Sequence, residues 1–365
     1  MEITKPTLLL DKEIALRNIE NMVRKAKDLN LSFRPHFKTH QSAEIAEWFR
    51  TAGVKAITVS SFTMANYFAD ACWDDITIAF SINIPEIPEI NELAGRINLN
   101  VLIENKEGLE ALQQKMEWHV GVFIKIDTGY NRTGIEANRT PLIDQLLVDI
   151  QKSPLLHFKG FLSHTGHTYL ANSTHDIFSR HFDALLKMKA LKSRYISEWP
   201  ELMISLGDTP SCSICDSFDG VDEIRPGNFV FYDLMQYKLG VCKLTDIAVR
   251  MVCPVIAVHS SRNEVVIYGG AIHFAKESIT NVDGKQLYGR ILIRQDETEI
   301  LLDERNYLHS LSQEHGILRI TPKDLSYFKP GQFIEILPVH SCLTANLMRE
   351  YMTTDGDNIK MMPFF

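Results

Sequence analysis

The feature that most constrains the fold is a regular alternation of short apolar runs with longer helical patterns through the first two thirds of the chain. Eight runs have the composition of strands, and seven segments have helical periodicity. The predicted strands are 32–38, 55–60, 76–81, 98–103, 120–127, 157–164, 202–207 and 222–226. The predicted helices are 12–29, 41–52, 62–71, 86–95, 105–117, 138–151 and 173–196. This alternation predicts a (β/α)₈ TIM-type barrel over residues 12–238, with a last helix after Tyr232 that is short or irregular.

The pattern changes near residue 240, where strands follow one another without helices between them. These strands are predicted at 247–258, 264–268, 289–293, 299–302, 316–320 and 332–337. Turn sequences such as Asn281-Val282-Asp283-Gly284 separate several of them. We expect a C-terminal antiparallel β domain made of residues 239–365, together with residues 1–11 and their short strand Thr7–Leu10.

Charge and composition exclude several classes of protein. A formal net charge of −8 over 365 residues argues against a nucleic-acid-binding protein. No apolar run approaches the roughly 18 residues that a membrane span needs, and the first residues have no signal-peptide pattern. The six cysteines show no disulfide spacing. We therefore expect a cytoplasmic protein that binds neither nucleic acid nor membranes.

The segment Arg34-Pro35-His36-Phe37-Lys38-Thr39-His40 carries the clearest chemical signal. In a strand the side chains alternate between two faces, so Arg34, His36, Lys38 and His40 would share one face. A lysine among like charges has a lowered pKa, which makes its amine a better nucleophile. We expect Lys38 to form a Schiff base with an aldehyde cofactor or a carbonyl substrate.

Polar residues gather where the predicted barrel strands end, which is where such barrels place their chemistry. These segments are Lys38 to His40, Lys125 to Gly134, Ser163 to Tyr169, Ser205 to Ser211, and Arg225 to Asn228 with Tyr232. Any one of them could be an ordinary solvated loop. Their occurrence at one rim favours a functional site.

The loops after the seventh and eighth strands suit a phosphate group, which barrels of this type often bind there. Gly207 and Gly227 would let the backbone approach an anion, and Thr209 and Tyr232 offer hydroxyl donors. The alternative is two structural turns. In a closed barrel these loops neighbour Lys38, so an aldehyde cofactor with a phosphate handle would reach both. Pyridoxal phosphate (PLP) has that chemistry.

Several motifs together make the chain resemble a known family. They are Arg-Pro-His-Phe-Lys-Thr-His, Asp-Thr-Gly-Tyr-Asn-Arg-Thr-Gly, His-Thr-Gly-His, Gly-Asp-Thr-Pro, Arg-Pro-Gly-Asn-Phe-Val-Phe-Tyr-Asp, Glu-His-Gly and Pro-Val-His-Ser-Cys-Leu-Thr-Ala-Asn. Over nearly its full length the chain resembles the fold-type III PLP enzymes, in the D-threonine aldolase / D-serine dehydratase branch of the alanine racemase-like proteins.

The resemblance implies that Lys38 holds PLP as a Schiff base. It places Thr209, Gly227, Asn228 and Tyr232 near the phosphate, and we add His36, Arg132 and Gly207 to the predicted cofactor site. It also implies roles around the cofactor ring or the substrate for His164, His167 and Tyr169, which we predict to be catalytic together with Lys38. A homodimer is expected as well.

The pair His340 and Cys342 is a candidate metal site. Residues i and i+2 of an extended chain project from one face, and imidazole plus thiolate suits Zn²⁺ better than Mg²⁺. Taken alone, this spacing is also consistent with the alternative to a metal site, a buried cysteine beside a hydrogen-bonded histidine. The resemblance favours a metal, because this family places one at a His-x-Cys or His-x-Asp pair. The Cys form resembles the D-serine dehydratase members.

One segment departs from the family pattern. Members tend to carry an Asp-x-Gly stretch on the strand before the metal motif, whereas this chain has Tyr268-Gly269-Gly270-Ala271-Ile272-His273-Phe274-Ala275-Lys276-Glu277. His273 and Lys276 could contribute to the site, or the loop could simply differ. Substrate specificity therefore does not transfer directly from the family.

Three functions stay open at this point. The leading hypothesis is a PLP-dependent, metal-assisted lyase that acts on D-3-hydroxy amino acids, either by dehydration or by aldol cleavage. A PLP-dependent amino-acid racemase without a metal is the second. The third is a non-catalytic PLP-binding homeostasis protein, against which the extra β domain argues.

Overall fold

The computed structural model describes residues 3–295 and 298–363 and divides into two compact units. One, the barrel unit, comprises Ile19–Lys38 and Ala46–Phe229. The other, the β unit, comprises Met1–Asn18, Thr39–Ile45 and Val230–Phe365. The division thus separates Lys38 from Thr39, in the middle of the motif that carries the clearest chemical signal.

Eight parallel strands form the barrel unit's sheet. They are Ser32–Phe33, Ile57–Val59, Asp75–Ser81, Asn98–Ile103, Val120–Asp127, Leu156–Ser163, Met203–Leu206 and Glu223–Ile224, and Ile135–Glu136 adds a short strand beside the fifth. Each of the second to seventh strands pairs with the strand that follows it along the chain, and the eighth pairs with the first. A parallel bridge between His36 and Thr58 joins the first and second strands. The predicted TIM-type barrel is confirmed.

The seven predicted helices are all present, with ends within a few residues of those expected. The α-helices of the described chain are Lys12–Asp28, Ala43–Thr51, Phe62–Asp70, Ile87–Ala94, Lys106–Lys115, Thr140–Ile150, Thr174–Tyr195, Thr209–Ile214, Leu234–Lys238, Ala271–Phe274 and Ser341–Met348. The helix Thr209–Ile214 was not predicted, because six residues are too few to show an apolar repeat. Its start signal is nevertheless present: Asp208 caps it and Pro210 lies in its first turn.

The first barrel strand is much shorter than predicted. Only Ser32 and Phe33 are in the strand ladder, since Pro35 has no N–H to donate and the chain turns after His36. Phe37 faces outward and is fully buried against the rings of Phe49, Phe68 and Trp73. That aromatic cluster fixes the position from which the turn containing Lys38 begins.

The β unit contains the predicted antiparallel β domain. Its strands are Thr7–Leu10, Val249–His259, Glu264–Tyr268, Ile279–Thr280, Gln286–Leu287, Gly289–Gln295, Thr298–Leu301, Tyr307–Leu311, His315–Arg319, Phe333–Pro338, Glu350–Thr353 and Asn358–Lys360. Six of them close into a ring because Val249–His259 pairs with both Phe333–Pro338 and Glu264–Tyr268. Thr7–Leu10 pairs antiparallel with Val249–His259 on one side and parallel with Glu350–Thr353 on the other.

Some strands of the β unit were missed from the sequence. Tyr307–Leu311 pairs with His315–Arg319 through a register shift between Leu308 and Ser310. A bulge of this kind breaks the two-residue alternation by which a half-buried strand is recognised. Within the two described stretches, no helix combines the length and the apolarity that a bilayer span demands.

Candidate active site

The loop after the fifth barrel strand is held by one carboxylate. The two Asp127 oxygens accept hydrogen bonds from the backbone N–H groups of Gly129, Tyr130 and Asn131, at 2.8, 2.8 and 2.9 Å. The Arg132 guanidinium then lies over the Tyr130 ring, 4.9 Å from its centroid. The Asp-Thr-Gly-Tyr-Asn-Arg motif is therefore a self-supporting turn that sets the direction of Arg132.

A second carboxylate ties the loops after the sixth and seventh strands together. Asp208 accepts hydrogen bonds from the hydroxyls of Thr165 and Thr168 and from the N–H of Ser211. Gly207 is required beside it, because a Cβ at this position would lie 2.6 Å from the backbone nitrogen of Arg225. Gly207 thus permits close approach of the neighbouring strand end, in addition to the anion approach that the sequence suggested.

The carboxyl ends of the barrel strands enclose a narrow cavity of about 40 Å³. Its lining residues are His36, Lys38, Ala79, Lys125, Arg132, Leu162, His164, Gly207 and Arg225. Five of these were predicted from the sequence as site residues: His36, Lys38, Arg132, His164 and Gly207. The solvent-exposed Lys38 side chain is therefore at the mouth of a pocket with cationic walls.

Two histidines in this pocket are neutral and have opposite tautomers. His36 Nδ1 accepts the Lys38 backbone N–H at 3.3 Å, so the proton of the neutral ring is on Nε2. His164 Nδ1 donates to the Gly207 carbonyl at 2.9 Å, which leaves a lone pair on Nε2. Burial, reinforced by nearby cations, lowers the pKa of His36 well below its ordinary value and that of His164 to about 3. The pocket thus offers one neutral donor and one neutral acceptor.

Lys125 and Arg225 complete the cationic wall, and sequence reasoning did not select either as a site residue. Burial, with Arg132 and Arg225 nearby, lowers the pKa of Lys125 to about 8. Burial also lowers the pKa of Arg225 to about 10, against an opposing effect of Glu223. Their signal was present, since each is at the end of a predicted strand beside a motif residue.

The expectation that Arg34 and His40 share the catalytic face with Lys38 is wrong. Arg34 does point into the barrel, but it lines a different cavity, of about 500 Å³, and bonds to Glu223 and Asp75. His40 follows the turn and is fully buried in the β unit, where its Nδ1 accepts the Ser42 N–H at 3.2 Å. The regular alternation fails because the strand ends before Lys38.

His40 gives the protein a specific acid sensitivity. Burial lowers the pKa of its imidazole to about 3, whereas an unfolded histidine titrates near 6.5. Since only the unfolded state gains this proton, the contribution of His40 to the free energy of unfolding is complete above pH 6.5. It is lost as the pH falls from 6.5 towards 3.

The His40→Asn variant tests this acid sensitivity, because asparagine keeps an acceptor for the Ser42 N–H. We expect urea unfolding to show a weaker pH dependence in this variant, by up to about 1.4 kcal/mol per pH unit within that window. An unchanged slope would contradict the buried neutral imidazole.

The start of the helix Thr209–Ile214 fits a phosphate group. The Thr209 and Ser211 hydroxyls are buried, and no group in residues 3–295 and 298–363 hydrogen-bonds to either oxygen. Leaving buried hydroxyls unsatisfied is costly, and phosphate oxygens are strong acceptors for them. The Thr209 N–H donates to the Tyr169 hydroxyl at 3.2 Å, which positions that ring beside the same turn. The phosphate handle of PLP is the group that these residues fit.

Removing these hydroxyls should weaken cofactor binding. We expect Thr209→Val and Ser211→Ala each to raise the Kd for PLP about tenfold or more, because a hydrogen bond to a charged group contributes roughly 1.5–3 kcal/mol. Fluorescence or absorbance titration of the apoprotein with PLP measures the change. Ser213→Ala, the same deletion on the same helix, is the matched control and should leave the Kd within about twofold of the wild-type value, since a substitution away from such a contact changes the free energy by about 0.5 kcal/mol or less.

The remaining predicted residues of these loops have different surroundings. Gly227 and Asn228 are buried directly after the eighth strand. His167 is buried in the turn Gly166–Leu170 near Gly129 and does not line the 40 Å³ cavity. Tyr232 belongs to the β unit, where it packs against the core around Leu234.

His340 and Cys342 do meet, but for a reason different from the one predicted. The extended chain ends at His340, and Cys342 is already in the first turn of the helix Ser341–Met348. The two side chains hydrogen-bond to each other, and His340 Nδ1 lies 3.1 Å from Glu277 Oε2. Burial lowers the pKa of His340, but the bonds to Cys342 and Glu277 outweigh it and raise the pKa to about 11.

Other β-unit residues fix this pair in place. Asp233 Oδ2 accepts the Ser341 N–H at 3.0 Å and so holds the start of the helix. The Thr39 hydroxyl, one residue after Lys38, is 3.3 Å from Cys342 Sγ. In the described part of the chain, no three His, Cys, Asp or Glu side chains form a complete metal cage. Imidazole and thiolate fit a metal that keeps open positions for water or substrate.

The atypical segment 268–277 contributes Glu277, which sequence reasoning did not select. His273 caps the local helix by accepting the Gly270 N–H at 3.1 Å, and Lys276 is exposed. The His340 hydrogen bond lowers the pKa of Glu277, so the carboxylate faces the imidazole in its ionised form. A carboxylate beside a metal-binding histidine orients the ring and raises its basicity.

Family models match both the barrel unit and the β unit of this chain. Residues 11–234 match the alanine racemase N-terminal domain, and residues 248–354 match a serine dehydratase domain. This chain belongs to the alanine racemase N-terminal domain family. The predicted membership of the fold-type III D-threonine aldolase / D-serine dehydratase branch is confirmed.

Two dehydratases match this chain almost end to end. D-serine dehydratase from Dictyostelium discoideum is 28% identical over 98% of this chain and 94% of that protein. D-threo-3-hydroxyaspartate dehydratase from Delftia sp. HT23 is 26% identical over 98% and 96%. The solved structure of that enzyme covers 100% of this chain and 98% of its own, with a TM-score of 0.91 and 25% identity. A cysteine-to-alanine mutant of D-threo-3-hydroxyaspartate dehydratase in the metal-free form gives the same four values.

Proposed function

We propose that this chain is a PLP-dependent, metal-assisted lyase that dehydrates D-3-hydroxy amino acids such as D-serine. The observation that carries the proposal is the His340–Cys342 pair, hydrogen-bonded and backed by Glu277. It occurs in a chain whose full-length relatives include dehydratases of D-serine and D-threo-3-hydroxyaspartate. Aldol cleavage is the second candidate, favoured by a partial match to D-threonine aldolase from Arthrobacter sp., 25% identical over 45% of this chain and 44% of that enzyme.

In this proposal the barrel unit binds the cofactor. Lys38 would supply the amine that attaches PLP, and Thr209 and Ser211 would donate to its phosphate. Bound there, PLP would supply a sink for the electrons of a bond broken at Cα. The Lys38 amine would serve as the base for the α-proton, while the neutral His164 can accept a hydrogen bond through Nε2.

The β unit provides the metal ligands. His340 and Cys342 would hold Zn²⁺, which prefers nitrogen and sulfur donors, after each side chain loses its proton. The metal would supply Lewis acidity towards a substrate hydroxyl, which is a poor leaving group without it. Glu277 would accept the remaining His340 N–H and keep the ring in one orientation.

A turnover panel with and without chelator tests the proposal. We expect PLP-loaded protein to convert D-serine to pyruvate and ammonia, and chelation to abolish this reaction until Zn²⁺ is restored. Glycine plus an aldehyde from D-threonine would instead identify the aldolase. The L-amino acid from D-alanine, unaffected by chelator, would identify the racemase. PLP binding without turnover of any of these amino acids would favour the non-catalytic PLP-binding homeostasis protein.

The predicted homodimer is part of this proposal, and one surface supports it. Phe178, Phe182 and Leu186 are spaced four residues apart on the helix Thr174–Tyr195 and are 44%, 61% and 52% exposed. Large apolar side chains in one exposed row commonly mark a protein interface.

A further inference from the structure

The interior of the barrel unit contains a hydrogen-bonded charge network that the proposed function does not use. Arg34 Nε donates to Glu223 Oε2 at 2.7 Å, and the other Glu223 oxygen accepts from the Ser205 hydroxyl. The Ser205 oxygen in turn accepts from the Arg225 guanidinium. The exposed fractions of Ser205, Glu223 and Arg225 are 0%, 2% and 5%. One buried carboxylate therefore connects, through a hydroxyl, to the arginine of the cavity wall.

Strand register brings these groups together. Glu223 pairs with Ser205 on the adjacent seventh strand, and Arg225, two residues further on, projects towards the same side as Glu223. The Arg225 guanidinium also donates to the Ser163 carbonyl at 2.7 Å. Bonds to two neighbouring strands thus fix its plane while it lines the cavity that contains Lys38.

Stability alone does not account for this arrangement. Removing charges from water costs several kcal/mol per ion, and buried ion pairs seldom stabilise a fold more than apolar side chains of similar size do. The network differs from an ordinary buried pair because one end opens on the candidate active site. What it maintains there is a guanidinium of fixed charge and fixed orientation.

We propose that Glu223, acting through Ser205, is a positioning residue that holds Arg225 at the cavity wall and sets the electrostatic potential felt by Lys125 and Lys38. The part of this inference that concerns the cofactor on Lys38 rests on the proposed function, whereas the part that concerns Lys125 does not. Removing the carboxylate takes one negative charge away from Arg34 and Arg225, while Asp75 still pairs with Arg34 and Glu104 and Asp127 still face Lys125. For every amine in the cavity, the protonated form then becomes less favourable relative to the neutral form.

The test is the Glu223→Gln variant, in which the amide keeps the size of the side chain and its capacity to hydrogen-bond. In the cofactor-free protein labelled with ¹³Cε-lysine, we expect the NMR titration midpoint of Lys125 to fall by about one pH unit, as for loss of one buried neighbouring charge. In the PLP-loaded protein the pH midpoint of the cofactor's visible absorbance should fall in the same direction. Asp75→Asn is the matched control, because it removes the carboxylate that bonds to Arg34 at 2.6 Å but touches neither Ser205 nor Arg225.

The two readouts separate this inference from the proposed function. A shifted Lys125 midpoint without any cofactor band would support Glu223 and refute PLP binding. A folded Glu223→Gln protein with an unshifted Lys125 midpoint, or an equal shift in Asp75→Asn, would overturn the inference.

If Glu223→Gln does not fold, the variants Ser205→Ala and Ser205→Thr test the inference instead. We expect kcat on D-serine to fall about tenfold in Ser205→Ala and to be rescued in Ser205→Thr, which restores the hydroxyl. Equal kcat in the wild-type, Ser205→Ala and Ser205→Thr proteins would overturn the inference.

Discussion

The Lys38→Ala protein should lose its cofactor absorbance and nearly all of its turnover. Lys38 is the predicted point of covalent attachment and is at the mouth of the cationic cavity, next to His36 and Arg225. Without its amine, PLP has no Schiff-base partner and the α-proton loses its proposed base. We expect kcat to fall by about 10² or more, the contribution of a positioned general base alone. Absorbance spectroscopy and borohydride reduction followed by peptide mass analysis would measure the attachment.

Lys38→Arg is the matched control for charge. Arginine keeps a cation at this position but remains protonated, so it forms no Schiff base. It should be as inactive as Lys38→Ala, and added methylamine should restore part of the activity of the alanine variant. Labelling at another lysine, above all the neighbouring Lys125, would show that the reactive amine was wrongly assigned. Full activity in Lys38→Ala would exclude all three functions that the sequence left open.

His340→Ala and Cys342→Ala should abolish dehydration while sparing cofactor binding. Each removes one of the two proposed ligands, and Lewis-acid stabilisation by a metal contributes several kcal/mol. We expect kcat on D-serine to fall about 10²-fold or more in each variant, with loss of bound zinc by elemental analysis. The PLP absorbance should persist, because Lys38, Thr209 and Ser211, which we propose to bind PLP, belong to the other unit.

Cys242→Ala removes a partly buried thiol from the same unit and is the control, with zinc content and turnover both expected to be unchanged. Exchange of the Cα hydrogen with deuterated solvent gives a second measurement. Exchange that continues in Cys342→Ala while pyruvate formation stops would place the metal at the loss of hydroxide. Unchanged dehydration in both ligand variants would exclude the proposed metal site from the reaction.

Sequence patterns predicted much of the fold because the barrel repeats its signals. Each pair of strand and helix has its own hydrophobic periodicity, so an error in the predicted bounds of one pair does not affect the prediction of the next pair. The helix Thr209–Ile214 and the strand Tyr307–Leu311 were missed for local reasons, a short length and a register shift. Among the residues that line the cavity, Lys38, His36, Arg132 and His164 were predicted from the sequence because each is in a motif at a strand end.

The residues that were missed act through contacts between distant segments. Glu277 is recognisable only beside His340, and the hydrogen bond of Arg225 to Ser205 at the cavity is seen only in the folded chain. Arg225 does end a predicted strand beside motif residues, but its hydrogen-bond partner is on another strand. Arg34 and His40 show the opposite error, since residue type suggested a role that their actual partners do not support.

The sequence by itself determined the barrel, the β domain and the order of the motifs, because periodicity and turn chemistry are local properties of the chain. Only the tertiary structure decided which charges meet. The first strand ends at Phe33, so Lys38 is held by a turn rather than by a strand face, and His40 is buried elsewhere. His340 and Cys342 meet because a helix begins between them rather than because the chain is extended. Electrostatic and hydrogen-bonding partners depend on distances in space, which spacing along the chain does not fix.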